Sequence, residues 1–267
     1  MSEYPDDLRE LVDRYLTRLS FSETPATAGL AEAMRYSLLA GGKRIRPVLA
    51  LATARSIGLD PERVLPAAAA IELIHTYSLI HDDLPAMDDD DFRRGRPSNH
   101  KAFGEATAIL AGDGLLTLAF DWIAEAGEHA GQPARYLRAA RALAHGAGVR
   151  GMVRGQARDL GAPPPTTLEA LEVLHGEKTA ALFEAALKVG ALAAGAPTEA
   201  VTALARYGTA YGIAFQHADD RDDAEHGQHA AAARARLQVL VEEACTAVAP
   251  FGPQGARLAE FARALLR

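Results

Sequence analysis

An all-α fold is what this sequence predicts, and three observations carry the prediction. Hydrophobic residues make up 49% of the 267 while aromatics supply only 6%, a balance dominated by Ala, Leu and Val that suits helix-on-helix packing better than a β-sandwich. Apolar residues recur with helical period along almost the whole chain, punctuated by Gly and Pro clusters. No stretch shows strand-like alternation, tandem repetition or linker composition. One continuous domain over residues 1–267 is therefore expected, long enough to bury a sizeable core around a pocket.

Taken in order, the periodicity predicts helices over residues 5–20, 26–40, 46–57, 62–84, 104–128, 134–159, 167–194, 198–225, 230–248 and 252–266. Three breaks between them carry charge instead of ordinary turn residues: Gly41 to Pro47, Leu84 to Asn99, and Asp219 to Gly227. Loops fixed on a rigid scaffold are where chemistry tends to sit. The alanine-rich stretch Thr179 to Ala196 contains Glu184 and Lys188 and lacks the uninterrupted apolar length of a membrane span, so it reads as a core helix.

A formal charge of -7 speaks against a dedicated nucleic-acid binder, which needs a basic footprint. Cys245 is the only cysteine, which rules out an internal disulfide and a cysteine-rich zinc site and fits a reducing, cytoplasmic setting. The opening MSEYPDDLRE is acidic where a signal peptide would be basic and then apolar, so no targeting segment is expected.

The second break holds IHDDLPAMDDDDFRRGRP, Ile80 to Pro97, in which Asp82 and Asp83 close a long apolar helix. Pro85 cannot continue that helix smoothly, so the chain can bend and return Asp88 to Asp82. The third holds FQHADDRDD, Phe215 to Asp223. Asp219 and Asp223 stand four residues apart, and Asp220 and Asp223 three apart, spacings that put carboxylates on one helical face. Like charges this close repel unless cations neutralise them. Hard oxygen ligands without cysteine suit Mg²⁺, which typically bridges a few carboxylates to phosphates. An EF-hand is excluded, because counting back from Gly95 puts Phe92 at a required ligand position.

A basic counterpart is present. GGKRIRP supplies Lys43, Arg44 and Arg46 beside two glycines, and Arg93, Arg94 and Arg96 follow the first acidic run. Guanidinium groups grip phosphate oxygens in bidentate fashion, and Lys acts as a point charge, so the mixed set can hold a diphosphate. His75, seven residues before Asp82, lies two helical turns away on the same face.

Together the segments GGKRIRP, IHTYSLIHDDLPAMDDDDFRRGRPSNH, FGEATAILAGDGLLTLAF, GMVRGQARDL, HGEKTAALF and FQHADDRDD resemble the trans-prenyl diphosphate synthase (polyprenyl synthetase) family, and within it the bacterial farnesyl diphosphate synthases. They occur in family order from about Ala40 to Asp223. The resemblance implies a bundle of antiparallel helices around a deep central cavity, of the isoprenoid synthase type, usually a homodimer, with about three Mg²⁺ ions per site. By position, Asp82, Asp83 and Asp88 correspond to the first metal site, and Asp219, Asp220 and Asp223 to the second, with Asp222 an extra carboxylate. Lys43, Arg46, His75 and Arg94 correspond to binders of isopentenyl diphosphate. Arg93, Lys178, Thr179 and Gln216 correspond to contacts with the allylic diphosphate, and Gln156 and Asp159 to supporting polar groups. The implied catalytic set is Asp82, Asp83, Asp88, Arg93, Lys178, Thr179, Gln216, Asp219 and Asp220.

Product length in such a reaction depends on where the cavity floor lies. Tyr77, five residues before Asp82, would sit roughly 7.5 Å deeper, and the resemblance makes this aromatic, together with the two-residue insertion inside the first motif, the arrangement of a fifteen-carbon pocket; Ser78 beside it in the chain-length region is small and would not block by itself. The alternatives are a geranylgeranyl or geranyl diphosphate synthase, or a low-activity partner subunit. The last is raised by a departure: the family's long glycine-lysine loop after the second motif has no counterpart, Ala224 to Gln228 running almost directly into AAAARARLQVL. Arg221 also replaces a usually apolar residue. A metal phosphohydrolase would want several histidine ligands, whereas only His75 and His81 lie near the acidic run. A terpene cyclase would have no use for the group GGKRIRP.

Overall fold

The computed structural model describes residues 6–19, 21, 24, 27–222 and 230–267, with the backbone alone at Ala28 and Asp222. Among these residues the chain runs α1 (Asp6–Thr17), α2 (Ala28–Leu38), α3 (Ile45–Ser56), α4 (Leu65–Asp82), α5 (Asn99–Phe103), α6 (Glu105–His129), α7 (Pro133–Ala147), α8 (Met152–Gly161), α9 (Leu168–His175), α10 (Ala181–Ala194), α11 (Thr198–Asp222), α12 (Ala230–Val248) and α13 (Ala256–Ala264). The all-α expectation holds.

Helix α4 explains why the bundle forms where it does. Its LPAAAAIELIHTYSLIHD sequence is apolar nearly all round, and such a helix must be buried on every side. It packs against α6, α3, α10, α1 and α2. Ile71, Leu73 and Ile74 are fully buried, each contributing about 1.5–3 kcal/mol relative to exposure. On the far side α10 packs against α3, α7 and α11, and α11 against α12. Tyr207, fully buried on α11, satisfies its hydroxyl by donating to the Leu258 carbonyl at 2.8 Å, which ties α13 to this layer.

The structure corrects several boundaries. The helix expected over 134–159 is two, α7 and α8, broken at Gly148–Gly151, where Gly148 and Gly151 leave helical geometry with ψ of -154° and -119°. The helix expected over 167–194 is interrupted by a π turn, Gly176–Ala180. Residues 99–103, where no helix was expected, form α5. Where no strand was expected, Phe92–Arg93 (β1) pairs antiparallel with Arg96–Pro97 (β2). Arg94 and Gly95 both have positive φ, 54° and 73°, the requirement of the tight two-residue turn that joins twisted strands.

Two helical segments, Pro61–Asp82 and Glu105–His129, are long and apolar enough to cross a membrane by length and composition, with mean hydropathies of 1.2 and 1.3. In the fold 67% of the first one's apolar window is buried, as befits a core helix, against 33% of the second one's.

Candidate active site

The end of α4 builds the first acidic corner. The bend expected at Pro85 is present: the Asp88 N–H donates to the Asp82 carbonyl at 2.8 Å and Met87 N–H to Leu84 at 2.8 Å. Asp88 is thereby folded back onto the helix end. Burial pushes the Asp82 carboxyl up to about 6, Asp88 and Asp83 push in the same direction, and Lys178 and Arg93 oppose them. Asp83 is in a different situation. It is buried, its Oδ1 accepts from Arg93 Nε at 2.9 Å and also from Nη2, and Arg93 reaches Asp90 at 3.0 Å as well. Burial raises the Asp83 pKa while the Arg93 hydrogen bond and charge oppose it.

The basic residues gather around His75. Burial, then Arg46, Arg94, Arg44 and Arg93, holds its pKa well below the usual histidine value, so the ring stays neutral and can donate or accept a hydrogen bond. Arg94 sits on the turn between β1 and β2, and its Nη1 donates to the Gly41 carbonyl. That contact brings the hairpin to the loop after α2. The Arg46 guanidinium lies 4.3 Å from the centre of the Phe183 ring, burial lowers its pKa to about 10, and its buried Nε has no hydrogen-bond partner. Lys43 is exposed beside it.

Arg44, grouped with these residues on sequence, turns the other way. It caps α3 with φ 50° and is buried against Glu72 at 2.7 Å, Asp13 at 2.9 Å and the Leu38 carbonyl at 2.8 Å. Its charge is spent inside the fold. Glu72 was the signal that sequence reading passed over: a carboxylate in an apolar helix must find a cation.

The second corner is reached through the π turn. Thr179 Oγ1 donates to Gln216 Oε1 at 3.0 Å, and Gln216 Nε2 donates to Asp220 Oδ1 at 2.7 Å. Lys178 on the same turn pairs with Asp159 and lies close enough to Asp82 to lower its pKa. Lys178 and Thr179 thus connect the ends of α4 and α11. A π turn inserts one residue into the helical register and often marks a functional position. It is accommodated because α8 presents Gly155, where any Cβ would come within 2.2 Å of the Lys178 backbone nitrogen. Beside it the Gln156 amide is buried with neither its oxygen nor its nitrogen hydrogen-bonded, a deficit a bound ligand or water would remedy.

On α11, Asp219 is exposed and Asp220 buried. Asp220 Oδ2 faces His175 Nε2 at 3.3 Å, and buried His217 faces Glu172 at 3.2 Å. Sequence reading passed over both histidines. Asp223, assigned to the second metal site, lies outside the described residues, as does the Asp222 side chain. Arg221 donates to the Leu265 carbonyl at 3.2 Å.

Tyr77 is buried, with its ring 5.8 Å from that of His81 in an edge-on contact, and burial together with Asp82 raises its pKa to about 12. Ser78 donates to the His75 carbonyl at 3.0 Å. A groove of about 930 Å³ between α11 and α12 contains none of the residues predicted for the site. A cavity of only about 30 Å³ touches Asp83, Arg93 and Arg94.

The donor set fits a hard divalent cation. Asp82 carries a charge the fold only partly compensates, Asp88 is bent beside it, and the donors are oxygens throughout, which is what Mg²⁺ prefers.

Known proteins are similar to this chain over most of its length. Residues 27–251 match the family model described as Polyprenyl synthetase. A farnesyl diphosphate synthase of Geobacillus stearothermophilus is 50% identical over 226 residues, 84% of this chain and 74% of that one. Geranylgeranyl pyrophosphate synthase 12, chloroplastic, of Arabidopsis thaliana is 49% identical over 195 residues, of whose length the match spans 54%. A solved FPP/GFPP synthase from Zymomonas mobilis superposes with a TM-score of 0.90 at 38% identity and 99% coverage of both chains. With a matching family model over more than four fifths of its length and relatives half identical to it, this chain belongs to the polyprenyl synthetase family.

Proposed function

We propose that the chain, as a single domain, condenses isopentenyl diphosphate with dimethylallyl or geranyl diphosphate and gives mainly farnesyl diphosphate. One observation supports this reading above the rest. The α4 carboxylate Asp82, its pKa pushed up to about 6, lies within the electrostatic reach of Lys178, whose neighbour Thr179 links through Gln216 to Asp220 on α11, while Arg46 and Arg94 lower the pKa of buried His75.

Asp82, Asp83, Asp88, Asp219, Asp220 and, by its place in the motif, Asp223 would hold Mg²⁺, which would supply Lewis-acid stabilisation to the departing allylic diphosphate. Lys178 and Arg93 neutralise the same leaving group as its C–O bond breaks, and Thr179 and Gln216 orient it. Lys43, Arg46 and Arg94 hold the second diphosphate, and His75 donates one hydrogen bond to it without adding charge. A dry, apolar space ending at Tyr77 would keep water from the allylic cation until the alkene of isopentenyl diphosphate attacks it. Loss of a proton to the released diphosphate restores the double bond.

The apolar outer face of α6, where Ile109 and Leu110 are 44% and 56% exposed, supports a homodimer built on this helix. A soluble, cytoplasmic enzyme follows from the same reading, with that face covered by the second copy.

Purified protein with Mg²⁺, isopentenyl diphosphate and geranyl diphosphate should release farnesyl diphosphate. Release of phosphate without a prenyl product would replace the synthase reading with a hydrolase one, and no turnover at all would favour a partner subunit.

A further inference from the structure

Behind the second corner lies a group of which the proposed reaction uses Asp220 alone. His175, at the end of α9, and His217 and Asp220, on α11, are all buried, and each offers a ligand atom within 4.8 Å of the others. We infer that these three residues form a further site, sharing Asp220 with the second acidic corner, for a transition-metal dication of the zinc class, an ion that would pin α9 to α11.

The chemistry differs from that of the carboxylate corners. Two imidazoles and one carboxylate suit Zn²⁺, Co²⁺ or Ni²⁺, whereas Mg²⁺ prefers oxygen and water. Tetrahedral ligands about 2.0 Å from an ion lie about 3.3 Å apart, and His175 Nε2 already stands 3.3 Å from Asp220 Oδ2. The His217 ring, 5.2 Å from that of His175, needs to close by at most about 1.5 Å to complete the set. Behind it Glu172 Oε1 sits 3.2 Å from His217 Nε2 and is itself held by Arg236 Nε at 3.0 Å. A carboxylate at the back of an imidazole fixes its tautomer and raises its basicity, the arrangement usual for metal-bound histidines.

Such an ion would also occupy Asp220 Oδ2, the oxygen that Gln216 leaves open, and compete with the second Mg²⁺ position, making the site inhibitory; this consequence alone rests on the reading above. Co²⁺ titrated into protein with excess Mg²⁺, which fills the all-oxygen sites, reports the ligand field directly. Wild type should bind one Co²⁺ with the intense visible bands of four-coordinate nitrogen and oxygen ligation. His217→Leu should lose them, and Glu172→Gln should weaken binding by ~10–100-fold. Glu172→Gln carries the test should His217→Leu fail to fold. Absence of the bands in wild type, or superimposable titrations of all three proteins, overturns the site. No substrate is present, so this outcome is independent of prenyl transfer. In the synthase assay, Zn²⁺ should inhibit wild type at saturating Mg²⁺ and require at least ~10-fold more ion for His217→Leu; equal sensitivity overturns the inhibitory role.

Discussion

At the end of α4 an aspartate is held by a guanidinium; at the end of α11 an aspartate is held by an amide and an imidazole. Asp83 gives its Oδ1 to Arg93, and Asp220 divides its two oxygens between Gln216 and His175. In each corner one carboxylate is tied into the fold by its side-chain partners. The difference lies in charge. A guanidinium neutralises its partner at any working pH, so the first corner keeps a fixed cation beside its free carboxylates. In the second corner Asp220 is held by an amide and an imidazole, donors without a fixed charge. Two runs of aspartate that look interchangeable on paper are therefore wired differently.

The largest expected effect tests the division inside the first corner. Asp82→Asn should lower kcat by ~10²–10³-fold, whereas Asp83→Asn, whose amide oxygen still accepts from Arg93, should keep most activity. Steady-state kinetics at saturating Mg²⁺ decide it, and equal losses would erase the distinction between free and tied carboxylate.

Stability should move the opposite way. The Asp82 carboxyl is raised from 3.8 to about 6, so its protonated form is the one the fold favours. Its contribution is fully present below about pH 3.8 and is lost as pH rises through about 6, which leaves the ion-free protein at neutral pH short by about 3 kcal/mol. Asp82→Asn should match wild type near pH 4 and become the more stable of the two toward pH 7. Urea unfolding in EDTA across this range checks the sign, and adding Mg²⁺ should narrow the gap.

Much of this was legible before any coordinate. Helix type followed from periodicity, and the return of Asp88 followed from Pro85, because both are local consequences of backbone chemistry. What escaped was long-range pairing. Nothing within a few residues of Arg44 shows that it will meet Glu72, 28 positions away, in place of a phosphate. The break between α7 and α8 was missed for a similar reason: apolar periodicity runs through it, and only the geometry of Gly148 and Gly151 stops the helix. His175 and His217, 42 positions apart, come together only where α9 packs against α11.

Below the two corners the aromatic residues differ as well. One tyrosine, Tyr77, lies under Asp82, while under Asp219 the rings of Phe183, Tyr211 and Phe215 cluster at centroid distances of 5.3 to 6.4 Å. A lone ring can set a pocket floor, and a ring cluster is packing. Tyr77→Ala should shift the product beyond fifteen carbons by chromatography of the dephosphorylated prenols. Phe215→Leu should keep the product and lower stability by about 1 kcal/mol. Unchanged products from Tyr77→Ala would remove the proposed floor.

The smallest effect probes the tied carboxylates against each other. Asp83 pairs with a cation inside a buried setting, so Asp83→Asn leaves Arg93 with a weaker, neutral acceptor and should cost about 1–2 kcal/mol. Asp220 pairs with an amide donor and an imidazole, both of which an asparagine oxygen can still satisfy in part, so Asp220→Asn should cost less than about 1 kcal/mol. Denaturant midpoints of the two variants, measured without metal near neutral pH, give the comparison directly. Were Asp220→Asn the costlier substitution, the imidazole of His175 would have to be carrying a positive charge, and the second corner would be wired like the first.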